Sequence, residues 1–448
     1  MDRLLARGVF NIYQWWSKEG FLNRLKDLKE TQYYSKEKLL KLQWNKLKKM
    51  LDYAWRNVPY YQEVFKKTGI FPQEINNYQD FMKIPFLTKE KVRENSLTLK
   101  SKDYSGKIIS YGSSGSTGEP LMLNLSPSLQ GSSRAAQYRG FSWYGIKFGE
   151  RGAKIWGIPL VFKERYSEKI KDWMMNRNRL SAFNLSKEEM DKFFKKCQRL
   201  KIRYLYGYAS ALYKFSAFLK EKKIDGRILN LKAVISTAEI LYDFQREFIS
   251  SAFGCPLANE YGAAEAGIIA FECPEGSMHI TSENVYLEII KNNKPARLGE
   301  LGEIVVTTLE NFYSPLIRYR LGDLGILTDK KCQCGWTLPL IEIVQGRNND
   351  MVITPDNRYL HSEVFSYINR TLLNSGRGIK EFKIIQESKK NLLVLITKEP
   401  NLDEEAISFL KKEIYKYMSR EMIITTQLVD EIPREKSGKI RYFVSELV

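Results

Sequence analysis

The sequence predicts an α/β protein: a large layered N-terminal domain of mostly parallel sheets with an antiparallel β part, then a small α+β C-terminal domain. Three patterns predict it. From about residue 105 short apolar runs alternate with helical stretches, the order that builds a parallel sheet between helix layers. Over 284–308 the pattern changes to VYLEII, a turn and GELGEIVVTTL, which reads as an antiparallel hairpin. Beyond Gly346 the order is strand, strand, helix, strand, enough for a unit of about 100 residues with its own core.

Each element has a local reason. Residues 1–100 read as a mainly helical lead-in. Within them, 36–56 repeat apolar residues at helical spacing with lysines between, an amphipathic helix lying on a core. Ser186 and Glu189 make a capping box that opens a helix ending near Leu200. Strands follow at 204–208 and 233–237, with helices reaching about Lys222 and covering 242–253. In the last part strands are predicted over 382–386, 392–397 and 423–429, with a helix over 403–419. The domains are accordingly placed at 1–345 and 346–448.

Composition narrows the function classes. A chain of 448 residues with 43% hydrophobic and 27% charged content is globular, not disordered or collagen-like. No apolar run approaches the roughly 18 residues of a membrane span, and the start lacks a cleavable signal. Five cysteines over this length predict a reducing, cytoplasmic setting. The net charge of +19 lies in the first half: residues 151–232 carry 21 Lys+Arg against 8 Asp+Glu, whereas 346–448 carry 17 against 15. No recognition motif accompanies that charge, so nucleic acid is not expected. A solvated basic surface accounts for most of it, and peripheral contact with the inner face of a membrane is the minority reading, supported by the aromatic start of the chain.

Five motifs carry the chemistry. The run from Ser110 to Pro120 is rich in glycine and hydroxyls, with Ser113, Ser114, Gly115, Ser116, Thr117 and Gly118 at its centre. Its N–H and O–H groups would wrap phosphate oxygens, or serve only as a flexible turn. Asn259 to Glu265 sets an aromatic ring, a glycine and a carboxylate after an apolar strand, suited to a base and a magnesium ion, or to a plain strand exit. Leu316 to Asp323 places two arginines and an aspartate at a turn, suited to ribose hydroxyls or to a surface salt bridge. Gly346-Arg-Asn-Asn-Asp350 opens the small domain, and Arg434 to Arg441 forms a basic loop around Lys439.

Taken singly these are weak; their order is not. The chain resembles the acyl-adenylate-forming superfamily over about residues 100–448. Tyr53 to Tyr61 and the Cys-Gln-Cys-Gly run make it similar to the phenylacetate-CoA ligase branch, and within that to CapK-like proteins of capsular polysaccharide loci. The resemblance implies an ATP-dependent, AMP-forming ligase. A carboxylate attacks the α-phosphate of ATP, and a thiol, amine or sugar hydroxyl then displaces AMP. It implies that Ser113, Ser114, Gly115, Ser116 and Thr117, with Gly118, hold the β- and γ-phosphates. Tyr261 stacks on adenine, with Ala238, Glu239, Glu260 and Gly262 completing the nucleotide site. Glu265 binds Mg²⁺, Asp323 the ribose, Arg347 the ribose or a phosphate, and Lys439 the reacting oxygens. The small domain rotates at 346–350 between half-reactions. By the same analogy the acid pocket includes Tyr206 to Ser210 and Ser236 to Glu239.

Departures from the family pattern carry weight. Glu119 stands where many members have lysine, Ala264 where Thr or Ser is common, and Asn349 where the hinge is acidic. Pro355-Asp356-Asn357 replaces the glycine that thioester-forming members place near the thiol tunnel, which favours an amine or sugar over coenzyme A. Ala264 and Glu119 also motivate an alternative, a degenerate nucleotide-binding scaffold at a membrane-associated glycan assembly. Finally, Cys273, His279, Cys332 and Cys334 supply three thiolates and an imidazole, a normal zinc set, though reduced unmetallated cysteines fit the spacing as well. Cys197 and Cys255 read as buried core.

Overall fold

Apolar side chains at helical spacing make the start of the chain helical: α1 Phe21–Thr31, α2 Lys36–Asn57, α3 Pro59–Thr68, α4 Tyr78–Met82 and α5 Lys89–Glu94. The computed structural model describes residues 5, 8–10, 19–112, 122–156, 162–182, 185–345, 351–355, 359–361, 365, 368, 378–398, 402–418, 420–432 and 443–447. Helix α2 starts where the Ser35 side chain accepts the Lys38 N–H and buries Leu39, Leu47, Met50, Leu51 and Ala54. Pro59 ends the run and, at the first turn of α3, loses no hydrogen bond.

A hairpin, β1 Ile109–Gly112 and β2 Met122–Leu125, leads to α6 Pro127–Trp143. Alternation then follows: β3 Gly152–Trp156, α7 Phe162–Met174, β4 Arg177–Ser181, α8 Lys187–Leu200, β5 Tyr204–Tyr208, α9 Ala209–Glu221, β6 Ala233–Thr237, α10 Asp243–Phe253 and β7 Leu257–Ala263. Ser186 accepts the Glu189 N–H at 3.2 Å, so the predicted cap opens α8. Antiparallel strands complete the sheet: β8 Gly267–Glu272, β9 Met278–Ile280, β10 Val285–Lys291, β11 Lys294–Pro295, β12 Leu301–Thr308, β13 Tyr319–Thr328 and β14 Leu340–Gln345.

Among the described residues these strands form one 12-stranded sheet in the order β11-β10-β12-β13-β14-β9-β8-β7-β6-β5-β3-β4. Pairing is parallel from β4 to β7, where helical crossovers return the chain to the same end of the strands, and antiparallel beyond β7. Strand β7 is therefore the seam. On one face of the parallel part Ile155, Leu205 and Val234 pack with Phe193, Leu212, Phe215 and Phe253; on the other Tyr204, Tyr206, Ile235 and Ala258 pack with Ala135, Tyr138 and Phe141 of α6.

The described residues fall into two compact units that divide between Val344 and Gln345. The second holds the pair β15 Met351–Ile353 and β16 Tyr359–His361, then β17 Ile379–Gln386, β18 Asn391–Lys398, α11 Glu404–Tyr417, β19 Ile423–Leu428 and β20 Phe443–Ser445. Ala406, Leu410 and Ile414 of α11 close its core over Phe382, Ile384, Leu392 and Val394. Strand β20, parallel to β17, extends the predicted strand-strand-helix-strand unit to a four-stranded sheet. Two expectations need correction. Residues 319–323 lie inside β13 and not at a turn: Tyr319 and Arg320 pair with Val306 and Val305 of β12, and Leu321 to Asp323 occupy a register shift before pairing resumes at Leu324. Cys255, unlike Cys197, is only half-buried, since it follows the Gly254 cap at the exposed end of α10.

Candidate active site

Strand period of two divides the seam between two chemistries. Glu260 is buried on the α6 side, where its carboxylate accepts from Tyr206 Oη at 2.7 Å and from Gln137 Nε2 at 3.0 Å. Burial raises its pKa, against the hydrogen bonds of Tyr206 and Gln137. Tyr261 faces the opposite way, and its Oη donates to Asp323 Oδ2 on β13 at 2.7 Å across 62 residues of sequence. The ring of one motif and the carboxylate of another thus meet on one face of the sheet.

The hairpin after the seam is tight. A Cβ on Gly262 would stand 2.7 Å from the Gly267 carbonyl oxygen, so this position must stay bare for β7 and β8 to pair. Half-buried Glu265 sits in the intervening turn, beside exposed Ala264. At the end of β6, Ala238 adopts a left-handed backbone with φ 63°, a conformation that L side chains rarely hold unless their surroundings enforce it. Next to it, Glu239 accepts the Ser210 N–H at 2.8 Å, supplying the cap that Tyr208 does not give to α9.

Arg318, in contrast, is structural. Its φ is 52°, and its buried guanidinium meets Glu288 through Nε at 3.1 Å and Nη2 at 2.9 Å. Nη1 donates to the carbonyls of Met82 and, at 2.7 Å, of Ile84, so the lead-in helices are tied to the antiparallel half of the sheet. Ser113, Ser114, Gly115, Ser116, Thr117 and Gly118, together with Arg347 and Lys439, lie outside the described residues.

The four predicted metal ligands converge. The ligand atoms of Cys273, His279, Cys332 and Cys334 all lie within 4.8 Å of one another. Cys273 Sγ is 3.5 Å from Cys332 Sγ, and Cys334 Sγ is 3.2 Å from His279 Nε2. His279 Nδ1 faces the Leu338 carbonyl at 3.2 Å, which assigns the proton to Nδ1 and turns the Nε2 lone pair toward the thiols. Burial lowers the His279 pKa to about 4 and raises Cys273 to about 12. A neutral imidazole beside one buried and two half-buried thiols is the donor set that a soft divalent cation converts into stable thiolates.

Sequence reasoning missed Gln137 as a partner of Glu260. Nothing local marks it, because α6 reaches the seam only through the packing of the sheet.

The family model described as the CapK C-terminal domain matches residues 352–446. Protein CapK of Staphylococcus aureus is 23% identical over 421 residues, covering 91% of this chain and 90% of its own. A phenylacetate-coenzyme A ligase of Thermus thermophilus is 25% identical over 346 residues, covering 71% and 72%. Among solved structures, 2-hydroxyisobutyryl-CoA ligase in its postadenylation state aligns with a TM-score of 0.71 at 16% identity, over 93% of this chain and 91% of that one.

Proposed function

Because the chain belongs to the acyl-adenylate-forming superfamily, in its phenylacetate-CoA ligase and CapK-like branch, we propose that it activates a carboxylic acid with ATP and passes the acyl group to an acceptor. In the first step a carboxylate oxygen attacks the α-phosphorus and pyrophosphate leaves. In the second the acceptor attacks the acyl carbon and AMP leaves. The observation that carries the reading is the Tyr261–Asp323 hydrogen bond, which sets an aromatic ring beside a carboxylate able to receive paired ribose hydroxyls. The protein's task is to place the two reactants and to neutralise charge on the phosphoryl oxygens.

Ser113 to Gly118 take the β- and γ-phosphates in this reading, Arg347 the ribose or a phosphate, and Lys439 the reacting oxygens. Magnesium, when bound, would neutralise the triphosphate, with Glu265 as its carboxylate ligand. Rotation of the C-terminal unit about 346–350 would exchange the two half-reactions. Zinc fits the Cys273, His279, Cys332 and Cys334 set as a structural ion. The acceptor is a coenzyme A thiol, as in the names of the ligase relatives, or an amine or sugar of a surface polysaccharide, as Pro355-Asp356-Asn357 favours.

Carboxylate-dependent ATP–pyrophosphate exchange tests the reading, with coenzyme A, amines and sugars then offered as acceptors. Exchange should appear with at least one acid and fall at least about 100-fold in Lys439→Ala. An exchange rate untouched by that substitution would overturn the assignment.

Peripheral membrane contact has one supporting feature. Helix α7 turns Glu168 and Asp172 inward onto Arg179 and leaves Tyr166, Ile170 and Trp173 63%, 42% and 59% exposed beside Lys169 and Lys171. Aromatic and basic side chains on one outward face suit an anionic lipid surface. Co-sedimentation with phosphatidylserine vesicles should fall in Trp173→Glu, and an absence of binding by the wild type would remove this contact. No helix among the described residues is long and apolar enough to cross a membrane.

A further inference from the structure

Next to the Glu260 cluster lies a cation that the adenylation chemistry leaves unused. Lys154 stands in β3, opposite Arg179 of β4 on one side and Tyr206 of β5 on the other. Strand alternation puts Lys154 and Trp156 on the face that carries Tyr206 and Tyr208, at the carboxyl ends of the parallel strands where open α/β sheets bind ligands. Lys154 Nζ lies 3.8 Å from the ring centroid of Trp156 and 5.1 Å from that of Tyr206.

The neighbouring carboxylates are already engaged. Glu168 and Asp172 bind Arg179 at 2.7 Å and 2.5 Å, Asp172 also meets Arg177 at 3.3 Å, and Glu260 accepts from Tyr206 and Gln137. Among the described residues no salt bridge joins Lys154 Nζ to a carboxylate, so its ring contacts leave its N–H donors unused. Burial, with Arg177 and Arg179 adding to it and outweighing the opposing charges of Asp172 and Glu168, holds the ammonium well below its ordinary range. An apolar acyl chain over this site would deepen that desolvation without compensation; an oxyanion would relieve it. The aromatic walls offer no slot for a flat ring between them, since Trp156 and Tyr208 already touch with centroids 4.2 Å apart.

We infer that Lys154 is the floor of the acyl subsite and binds a second carboxylate at the far end of the substrate, so that the acid activated here is a dicarboxylic acid. This rests on the adenylation reading. Trp156 and Tyr208 then flank the chain between the two carboxyl groups, and Lys154 selects for the distal one.

The test compares matched acids: short, medium and long aliphatic monoacids with their α,ω-diacids, and phenylacetate with 4-carboxyphenylacetate. In ATP–pyrophosphate exchange the wild type should favour a diacid over its monoacid by about 30-fold or more in kcat/KM, the usual effect of a desolvated charge pair. Lys154→Met should remove that preference, so that diacid and matched monoacid are used with similar kcat/KM; a diacid preference that survives in this variant would overturn the inference. Equal use of both acids by the wild type overturns the inference without any variant, and leaves adenylation standing. Calorimetric binding of the diacids without ATP separates the two readings. Lys154-dependent binding with no exchange sinks adenylation but keeps the subsite, while neither binding nor exchange sinks the subsite. Should Lys154→Met fail to fold, Lys154→Gln carries the same comparison.

Discussion

Tyr261 and Asp323 carry different loads although one hydrogen bond joins them. Tyr261→Phe removes a donor to a carboxylate, a loss of about 1.5–3 kcal/mol at most, and should raise the KM for ATP by about tenfold with little change in kcat. Asp323→Ala removes the proposed ribose acceptor as well and should raise it further; steady-state exchange kinetics measure both. A KM unmoved in both variants would take the nucleotide away from this face. Arg318 belongs to the same motif yet answers to stability. Arg318→Met strands Glu288 in the interior and should cost about 3–5 kcal/mol in urea unfolding, whereas Arg318→Met with Glu288→Met should recover most of it. A double variant as unstable as the single one would show that the pair is not the cause.

At the scale of elements, α7 is an amphipathic helix held to β4 by ion pairs of Glu168 and Asp172 with Arg177 and Arg179. Burial pushes the Glu168 carboxyl up, but Lys171 and Arg179 outweigh it and bring its pKa down to about 2. A depressed folded pKa stabilises the docked helix at pH above the ordinary carboxyl range, and this contribution disappears as pH falls from about 4.5 to about 2. Amide exchange of α7 should therefore accelerate over that window relative to α9, whose buried face is Leu212, Phe215 and Leu219. Arg179→Met should abolish the difference in pH dependence; equal protection of both helices throughout would refute the account.

For the whole molecule, the proposed zinc set clips β9 and the segment before it to the loop ahead of β14. One zinc ion per chain is expected by elemental analysis of the purified protein. Chelation or Cys332→Ser should lower the melting temperature and expose thiols to titration. Thiols fully reactive in the untreated protein, with no effect of chelator, would leave the four residues as an unmetallated cluster. Both the seam at β7 and this cluster sit in the larger unit.

Local signals made much of this legible. Helix α2, the Ser186 cap, β5, β6, the β10–β12 hairpin and the β17–β18–α11–β19 order follow from periodicity, capping and turn chemistry, which act over a few residues. The ordered motifs also indicated adenylation, and separately the residue types of Cys273, His279, Cys332 and Cys334 indicated a candidate zinc set, because such chemistry needs fixed residue types. Tertiary structure decided the partners. Strand pairing brought Tyr206 beside Glu260 and set Lys154 on a face without a free carboxylate, while packing of α6 on the sheet added Gln137 and the folding of the antiparallel strands brought Tyr261 to Asp323. It also made Arg318 a buried strut where the sequence read a turn. A contact across 62 residues, or a cation's lack of one, depends on how strands pair and which way their side chains alternate, and no window of sequence contains that information.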